Sequence, residues 1–521
     1  MDASLEKRIK RQVIGRPRRF LAVVPLGFER TLLREFQSIG VQPADDGQAS
    51  PFRITGDGKV EFTAKITEAW KAVAYSRIAN RVLMHLADFR AENFREFEKK
   101  AGEIPWELYL DERTGAALQT DEGNASAPPE QKQAPVHIHV TCKHSRLYHS
   151  DAVAERLRKV IEGAFSKGGS LPLAPASPSP RTGAESDGPR GKSFATPSAG
   201  TPRNAPPKGI PATGAERIQG KAGISRPADF YGQHPYEQHL YVHFLDDRCT
   251  VWLDLAGEEL YRRGHERFVN DAPLKETIAA AMLFEACHAA THSRTSKDDD
   301  RPHDPQPVAL FDLMAGSGTF SLEAAYAAHG LIPGVCRDFA LKHQPAFKEA
   351  TWNYMTNARS GNPGLKKIIT GDLSERAVEI IRHNVDNSPL AGTAPKPIEP
   401  RLRDFFSYTA AEIADACEGD ATPVIVLNPP YGKRLDFDAP KLYTRIGRRL
   451  AELSRELEAL GKALTVAILA PKDDSREGSK FTCTANLLRE CPALSPGNNA
   501  AANLIVTSHG GLTLNVFIAN I

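Results

Sequence analysis

The sequence predicts an α/β protein: a doubly wound, mainly parallel sheet in the C-terminal half, preceded by an α+β module. Three observations predict it. From about residue 270, short apolar strands alternate with helical patterns, as in "PVALFDLMAGSGTFSLEAAYAAHG" and "KKIITGDLSERAVEIIRHNV", and such alternation implies parallel strands joined by crossover helices. In "VIVLNPPYGKRL" the run Val424 to Leu427 is made of β-formers alone, as expected of a strand buried on both faces. The first half instead mixes an alternating strand, "VHIHVTC" (136 to 142), with an amphipathic helix, "SDAVAERLRKVIEGAF" (150 to 165).

Length and composition bound the answer. A chain of 521 residues suggests two to four domains, and 41% hydrophobic with 25% charged residues is ordinary for a globular protein. The net charge of +2 exerts no global pull on nucleic acid, so such binding must come from local patches. The seven cysteines, at 142, 249, 287, 336, 417, 483 and 491, form no CxxC pair and no metal-ligand spacing. They read as reduced thiols of a cytoplasmic protein without a metal site. No apolar run approaches the roughly 18 residues of a membrane span. "FLAVVPLGF" (20 to 28) follows basic residues as a signal peptide does, but Pro25 interrupts it, and it reads as a core strand and turn.

Next comes the organisation. Residues 168 to 230, rich in Pro, Ser and Gly, hold too few large apolar side chains to offset their ordering entropy and are expected to be a disordered insertion. Residues 120 to 135 read the same way. The first 19 residues, with "EKRIKRQVIGRPRR", read as a solvated basic tail. A helix over "FERTLLREFQSIG" turns Leu32, Leu33, Phe36 and Ile39 inward and stops at Gly40. "HLYVHFLDDRCTVWLDL" (239 to 255) reads as a hairpin turning at Asp246-Asp247. The expected division is a tail at 1–19, one N-terminal module over 20–265 interrupted by both insertions, and a C-terminal domain over 266–521.

The C-terminal half carries the chemistry. Val308 to Leu313 reads as a strand, Ala315 to Thr319 as a loop of small residues, and Phe320 to His329 as a helix stopped by Gly330. Gly316 and Gly318 let the backbone approach a ligand at a helix N-terminus. The third glycine of a dinucleotide fingerprint is replaced by Ser321, and no GK[ST] follows, so neither NAD nor a P-loop nucleotide fits. Asp372, at the tip of the next strand, is placed to accept both hydroxyls of a ribose. Asp404, at a third tip, is placed to accept an adenine amino group. A glycine loop, a ribose acid and an adenine acid with nothing for phosphate suit S-adenosylmethionine.

The prolines of Asn428-Pro429-Pro430-Tyr431 force the chain out of its strand, leaving an amide and an aromatic ring at the ligand-binding edge. An exocyclic amine on a nucleobase is a poor nucleophile, its lone pair delocalised into the ring. An amide oxygen and a backbone carbonyl that accept its two N–H bonds aim it at a methyl donor, and the tyrosine ring stacks on a flipped base.

"NPPYGKRL" with "DLMAGSGTFSLEAA" resembles the amino-methyltransferases of the class I Rossmann-like superfamily. "LAGEELYRRGHERFVNDAPLKETIAAAML" (255 to 283), "TCKHSRLYHSDAVAERL" (141 to 157) and residues 77 to 110 look like the THUMP-containing, RlmL-like RNA guanine-N2 methyltransferases. The resemblance implies an N-terminal ferredoxin-like and THUMP module that binds structured RNA, ribosomal 23S RNA foremost, with Arg156, Arg158 and Lys159 among its phosphate contacts. It implies a C-terminal domain that methylates guanine N2. Carried over by position, Asp312 and Ala315, Gly316, Ser317, Gly318 and Thr319 hold the cofactor, with Asp372 and Asp404. Asn428, Pro429, Pro430 and Tyr431 form the catalytic turn. Leu313 and Ala315 stand where the family usually has Pro and Cys. Transfer RNA as substrate, DNA adenine N6 as target, and an idle RNA-binding protein are the alternatives. No protein partner follows from the sequence.

Overall fold

The computed structural model describes residues 3–44, 51–111, 136–165, 237–269, 273–292, 307–357, 364–431, 438–472 and 482–521. The insertions expected at 120 to 135 and 168 to 230 lie outside them.

In the first half, alternation of apolar residues builds a sheet with one face turned to helices. Its elements are α1 (Ala3–Ile9), β1 (Arg18–Val23), α2 (Glu29–Ser38), β2 (Phe52–Gly56), β3 (Lys59–Ala64), α3 (Ile66–Tyr75), β4 (Arg81–Arg90), α4 (Phe94–Gly102), β5 (Val136–Lys143), α5 (Ser150–Phe165), β6 (Gln238–Leu245) and β7 (Arg248–Asp254). The strands lie in the order β2-β3-β1-β4-β7-β6-β5. β5 and β6 run parallel, so the flanks of residues 168 to 230 belong to one sheet. Asp246 and Asp247 both take positive φ at the β6–β7 turn, the geometry of a type I′ hairpin.

The second half contains α6 (Glu276–His292), β8 (Val308–Asp312), α7 (Thr319–Ala328), α8 (Glu349–Thr356), β9 (Leu365–Asp372), α9 (Glu375–Asp386), β10 (Arg401–Leu402), α10 (Ala410–Ala416), β11 (Thr422–Leu427), α11 (Ala439–Ala459), β12 (Thr465–Pro471), α12 (Cys483–Glu490), β13 (Asn503–His509) and β14 (Leu512–Asn520). Its sheet has the order β10-β9-β8-β11-β12-β14-β13. β14 alone is antiparallel to both its neighbours. Every residue of β8, β11 and β12 is buried, which is why they read as unbroken apolar runs. The chain winds outward from β8 through β9 to β10, then returns to β11 on the other side. Between β8 and β11 the order therefore reverses, and ligands of open α/β sheets bind outside the carboxyl ends at such a point.

The N-terminus departs from the tail expected of residues 1–19. Ala3–Ile9 is helical, Lys10–Ile14 continues it as a wider turn, and Ile9 and Val13 are buried in the main core. A four-residue spacing set among six basic residues had concealed one apolar stripe.

That core is continuous. It runs from Phe20 and Phe62 of the first sheet to Val424 and Val516 of the second. A strap leaves β7 and carries Arg263 into the junction, where it bonds both carboxylate oxygens of Glu323 on α7 at 2.9 and 3.1 Å. Both side chains are 1% exposed.

If the N-terminal segment is part of the core, Ile9→Ala should lower unfolding free energy in urea by about 2–4 kcal/mol. No change would return the segment to a solvated tail.

Candidate functional site

Register brings the site together. Asp312 pairs with Thr370 on β9 and with Val426 on β11, and Asp372 pairs with Leu402 on β10. Asp404, Asp372, the glycine loop and Asn428 therefore all emerge at the carboxyl ends of four adjacent strands.

The loop itself is built by conformation. Gly316 and Gly318 have φ of +55° and +77°, the left-handed region that a side chain disfavours. A Cβ on Gly318 would also meet Ile381 of α9 at 3.1 Å, whereas Gly316 faces open space. The loop is held from both sides. Asp372 accepts from the Gly316 amide at 2.8 Å and from the Ser374 amide at 2.9 Å. Asn384 on α9 donates to the Ser317 carbonyl at 3.0 Å.

The predicted residues take distinct positions. Asp312 is fully buried and accepts from the Ser321 amide and hydroxyl at 3.1 and 2.7 Å. It braces the first turn of α7 from beneath the loop. Burial pushes its carboxyl up to about 7; the Ser321 bonds oppose this and the neighbouring Asp372 adds to it. Asp372 is partly exposed at the strand tip. Asp404, also partly exposed, accepts from the Phe406 amide at 3.0 Å and so caps a short turn.

At the end of β11, Asn428 is half-buried, Pro429 buried and Pro430 exposed. The Oδ1 of Asn428 is buried and has no hydrogen-bond partner. A buried acceptor without a donor is destabilising by about 1–3 kcal/mol. Tyr431 packs part of its ring against the main core, and burial raises its phenol to about 12, so it is neutral.

Leu373 was not singled out by sequence reasoning. It follows Asp372 directly and is 72% exposed, and Leu402 beside it is 57% exposed. With the half-buried Phe406 they give the edge between Asp372 and Asp404 an apolar lining suited to a flat ring. The available signal was an apolar residue immediately after a strand-tip acid. On α5 the cations expected to meet phosphate are engaged elsewhere. Arg156 pairs with Glu98 and lies 4.3 Å over the Phe94 ring, and Lys159 pairs with Glu155.

Residues 263–466 match the family model described as UPF0020: RMKL-like, methyltransferase domain, and residues 19–83 match the RlmL ferredoxin-like domain. Among curated proteins, the ribosomal RNA large subunit methyltransferase K/L of Allochromatium vinosum is 26% identical over 83% of this chain and 45% of its own length. That of Chromohalobacter salexigens is 30% identical over 44% of this chain and 29% of its own. The chain thus spans about half the length of the curated relatives it matches, or less. Among solved structures, SMU.472 in complex with SAH has a TM-score of 0.61 at 19% identity, covering 97% of this chain and 98% of that one. TrmN from Thermus thermophilus has a TM-score of 0.50 at 15% identity, covering 96% and 99%. These structures share the fold.

The buried state of Asp312 makes a pH prediction. Its folded pKa, about 7, exceeds the roughly 3.9 of an unfolded aspartate. Its protonation therefore stabilises the fold fully below about pH 4, and this contribution is lost as pH rises through about 7. Asp312→Asn should flatten the fall in stability between those limits, by on the order of 2–4 kcal/mol across the window. Denaturation of both proteins at pH 4.5 and 7.5 measures it; parallel profiles would remove Asp312 as the titrating group.

Proposed function

We propose that this chain, an RMKL-like methyltransferase domain joined to an RlmL ferredoxin-like domain, transfers a methyl group from S-adenosylmethionine to the exocyclic N2 of a guanine in structured RNA, ribosomal 23S RNA foremost. One observation carries the reading: the partnerless, buried Oδ1 of Asn428 at the switch point of the sheet.

The residues present fit the cofactor. The Gly316–Gly318 backbone leaves room for close approach, Asp372 and Asp404 offer carboxylates to ribose and adenine, and Leu373 and Leu402 flank a flat ring. When bound, the cofactor supplies an electrophilic methyl group on a sulfonium. The protein's own part is to bind and aim. Asn428 Oδ1 accepts one N–H of the target amine, and the carbonyl at Pro429, its direction set by the following proline, accepts the other. The lone pair is thereby turned toward the methyl group. The sulfur–carbon bond breaks as the nitrogen–carbon bond forms, and the nitrogen loses one proton. An amide does not titrate, so Asn428 positions the amine without acting as a base. The Tyr431 ring offers a face on which an extruded base stacks.

The sequence match in the N-terminal half supports RNA as the partner. The THUMP assignment of β5 to β7, the division at residue 265 and cytoplasmic action are parts of the same proposal. Since the paired cations of α5 are partly neutralised, phosphate contact falls to other surfaces of the module.

Asn428→Ala should slow single-turnover methyl transfer about a hundredfold or more, about 3 kcal/mol in barrier, with binding of S-adenosylhomocysteine little changed. Asn428→Asp should retain more activity than alanine. Nucleoside mass spectrometry of the product decides the target. N2-methylguanosine is expected, N6-methyladenosine would move the reading to an adenine target, and no methylated nucleoside despite bound cofactor would refute the enzyme.

A further inference from the structure

The strap that joins the two sheets has a second buried cation. Arg267 lies four residues beyond Arg263, and its side chain is only 10% exposed. One terminal nitrogen pairs with Glu276 at the start of α6. The other donates to the Thr319 hydroxyl at 2.9 Å and lies 3.5 Å from the Ser317 hydroxyl. Its Nε–H is buried and has no hydrogen-bond partner. A guanidinium always carries its charge, so an unmet buried donor at this place is a feature to be explained.

The place is the N-terminus of α7. That helix is ten residues long, and its N-cap, Gly318, has no side chain with which to cap it. Asp312 satisfies the Ser321 amide alone. Helix N-termini attract anions through free amides and the macrodipole, and here a buried guanidinium reinforces them. The acids facing Arg267 are Glu276, which takes one nitrogen, and Glu323, whose charge acts along α7.

We propose that Arg267, with the Ser317 and Thr319 hydroxyls and the first turn of α7, binds the α-carboxylate of the cofactor's amino-acid end. This rests on the cofactor reading above and assigns the part of that ligand for which neither Asp372 nor Asp404 has a use. The carboxylate supplies the acceptor that the Nε–H and the helix amides lack. Arg267 thereby selects a nucleoside carrying an amino acid over one that does not.

Calorimetric titration of the full chain tests it, with S-adenosylhomocysteine and with 5′-methylthioadenosine, which keeps the adenosine and lacks the amino acid. Arg267→Ala should weaken S-adenosylhomocysteine about tenfold or more and leave 5′-methylthioadenosine within about twofold. Arg267→Lys, which keeps the charge, should fall between. Equal losses for both ligands would reduce Arg267 to a brace of the loop and overturn the assignment, as would no loss for either. Should the variants fail to fold, the wild-type chain still decides: it should prefer S-adenosylhomocysteine to its decarboxylated form by about tenfold or more, and equal affinities would overturn the proposal. A wild-type chain that binds none of these ligands would instead overturn the cofactor reading beneath it.

Discussion

The buried ion pair of Arg263 and Glu323 is the contact on which the remaining arrangement depends. Removing two charges from water costs several kcal/mol each, and only dense compensation makes such a pair tolerable. Here it is dense. Beyond its two bonds to Glu323, the Arg263 guanidinium donates to the Leu260 carbonyl at 2.9 Å and to the Arg77 carbonyl at 2.8 Å. Those partners come from the strap, the first sheet's domain and α7. Arg77 also lies 3.6 Å from Glu323, and its amide donates to Glu35 of α2 at 2.8 Å. One guanidinium thus sets the strap, the N-terminal module and the helix that begins at the glycine loop.

From that anchor the geometry runs outward. The strap continues to Arg267, at the first residue of α7, and to Phe268, whose backbone amide and carbonyl both bond Asn384. Asn384 in turn holds the Ser317 carbonyl. The loop is therefore fixed from beneath by residues contributed by the strap and α9, and from its open side by Asp372. On the far side of β8, Asn428 needs no such network. Its position follows from the register of a fully buried strand and from two prolines that end it. Two mechanisms of precision meet at one edge, a hydrogen-bonded brace for binding and a rigid turn for aiming.

Local pattern carried the sequence reading as far as local physics reaches. The buried run Val424 to Leu427, the glycine loop, the N-cap at Ser374, the helix at 150 to 165 and the turn at Asp246-Asp247 are each written within a few residues, and each appears where it was expected. The N-terminal helix did not, because its two core residues stand among six cations. Glu323 sat unremarked inside a helix of alanines, and its partner lies 60 residues away. Glu35 bonds a serine 41 residues distant. No spacing rule reports such pairs, since they depend on two sheets meeting. Asp312 illustrates a subtler limit: its place beside the loop was legible, but its complete burial, and hence its bracing part, follows from the depth of β8.

The claim that the inter-domain pair sets the cofactor loop is tested most directly by hydrogen–deuterium exchange on Arg263→Ala. Arg263 makes no contact with residues 315–319, so any change there must travel through the strap and α7. The account predicts faster exchange at the Gly316, Ser317 and Gly318 amides in the variant, together with the strap, while the interior amides of β11 and β12 stay protected. Wild-type protection at the loop, with exchange raised in the strap alone, would contradict it.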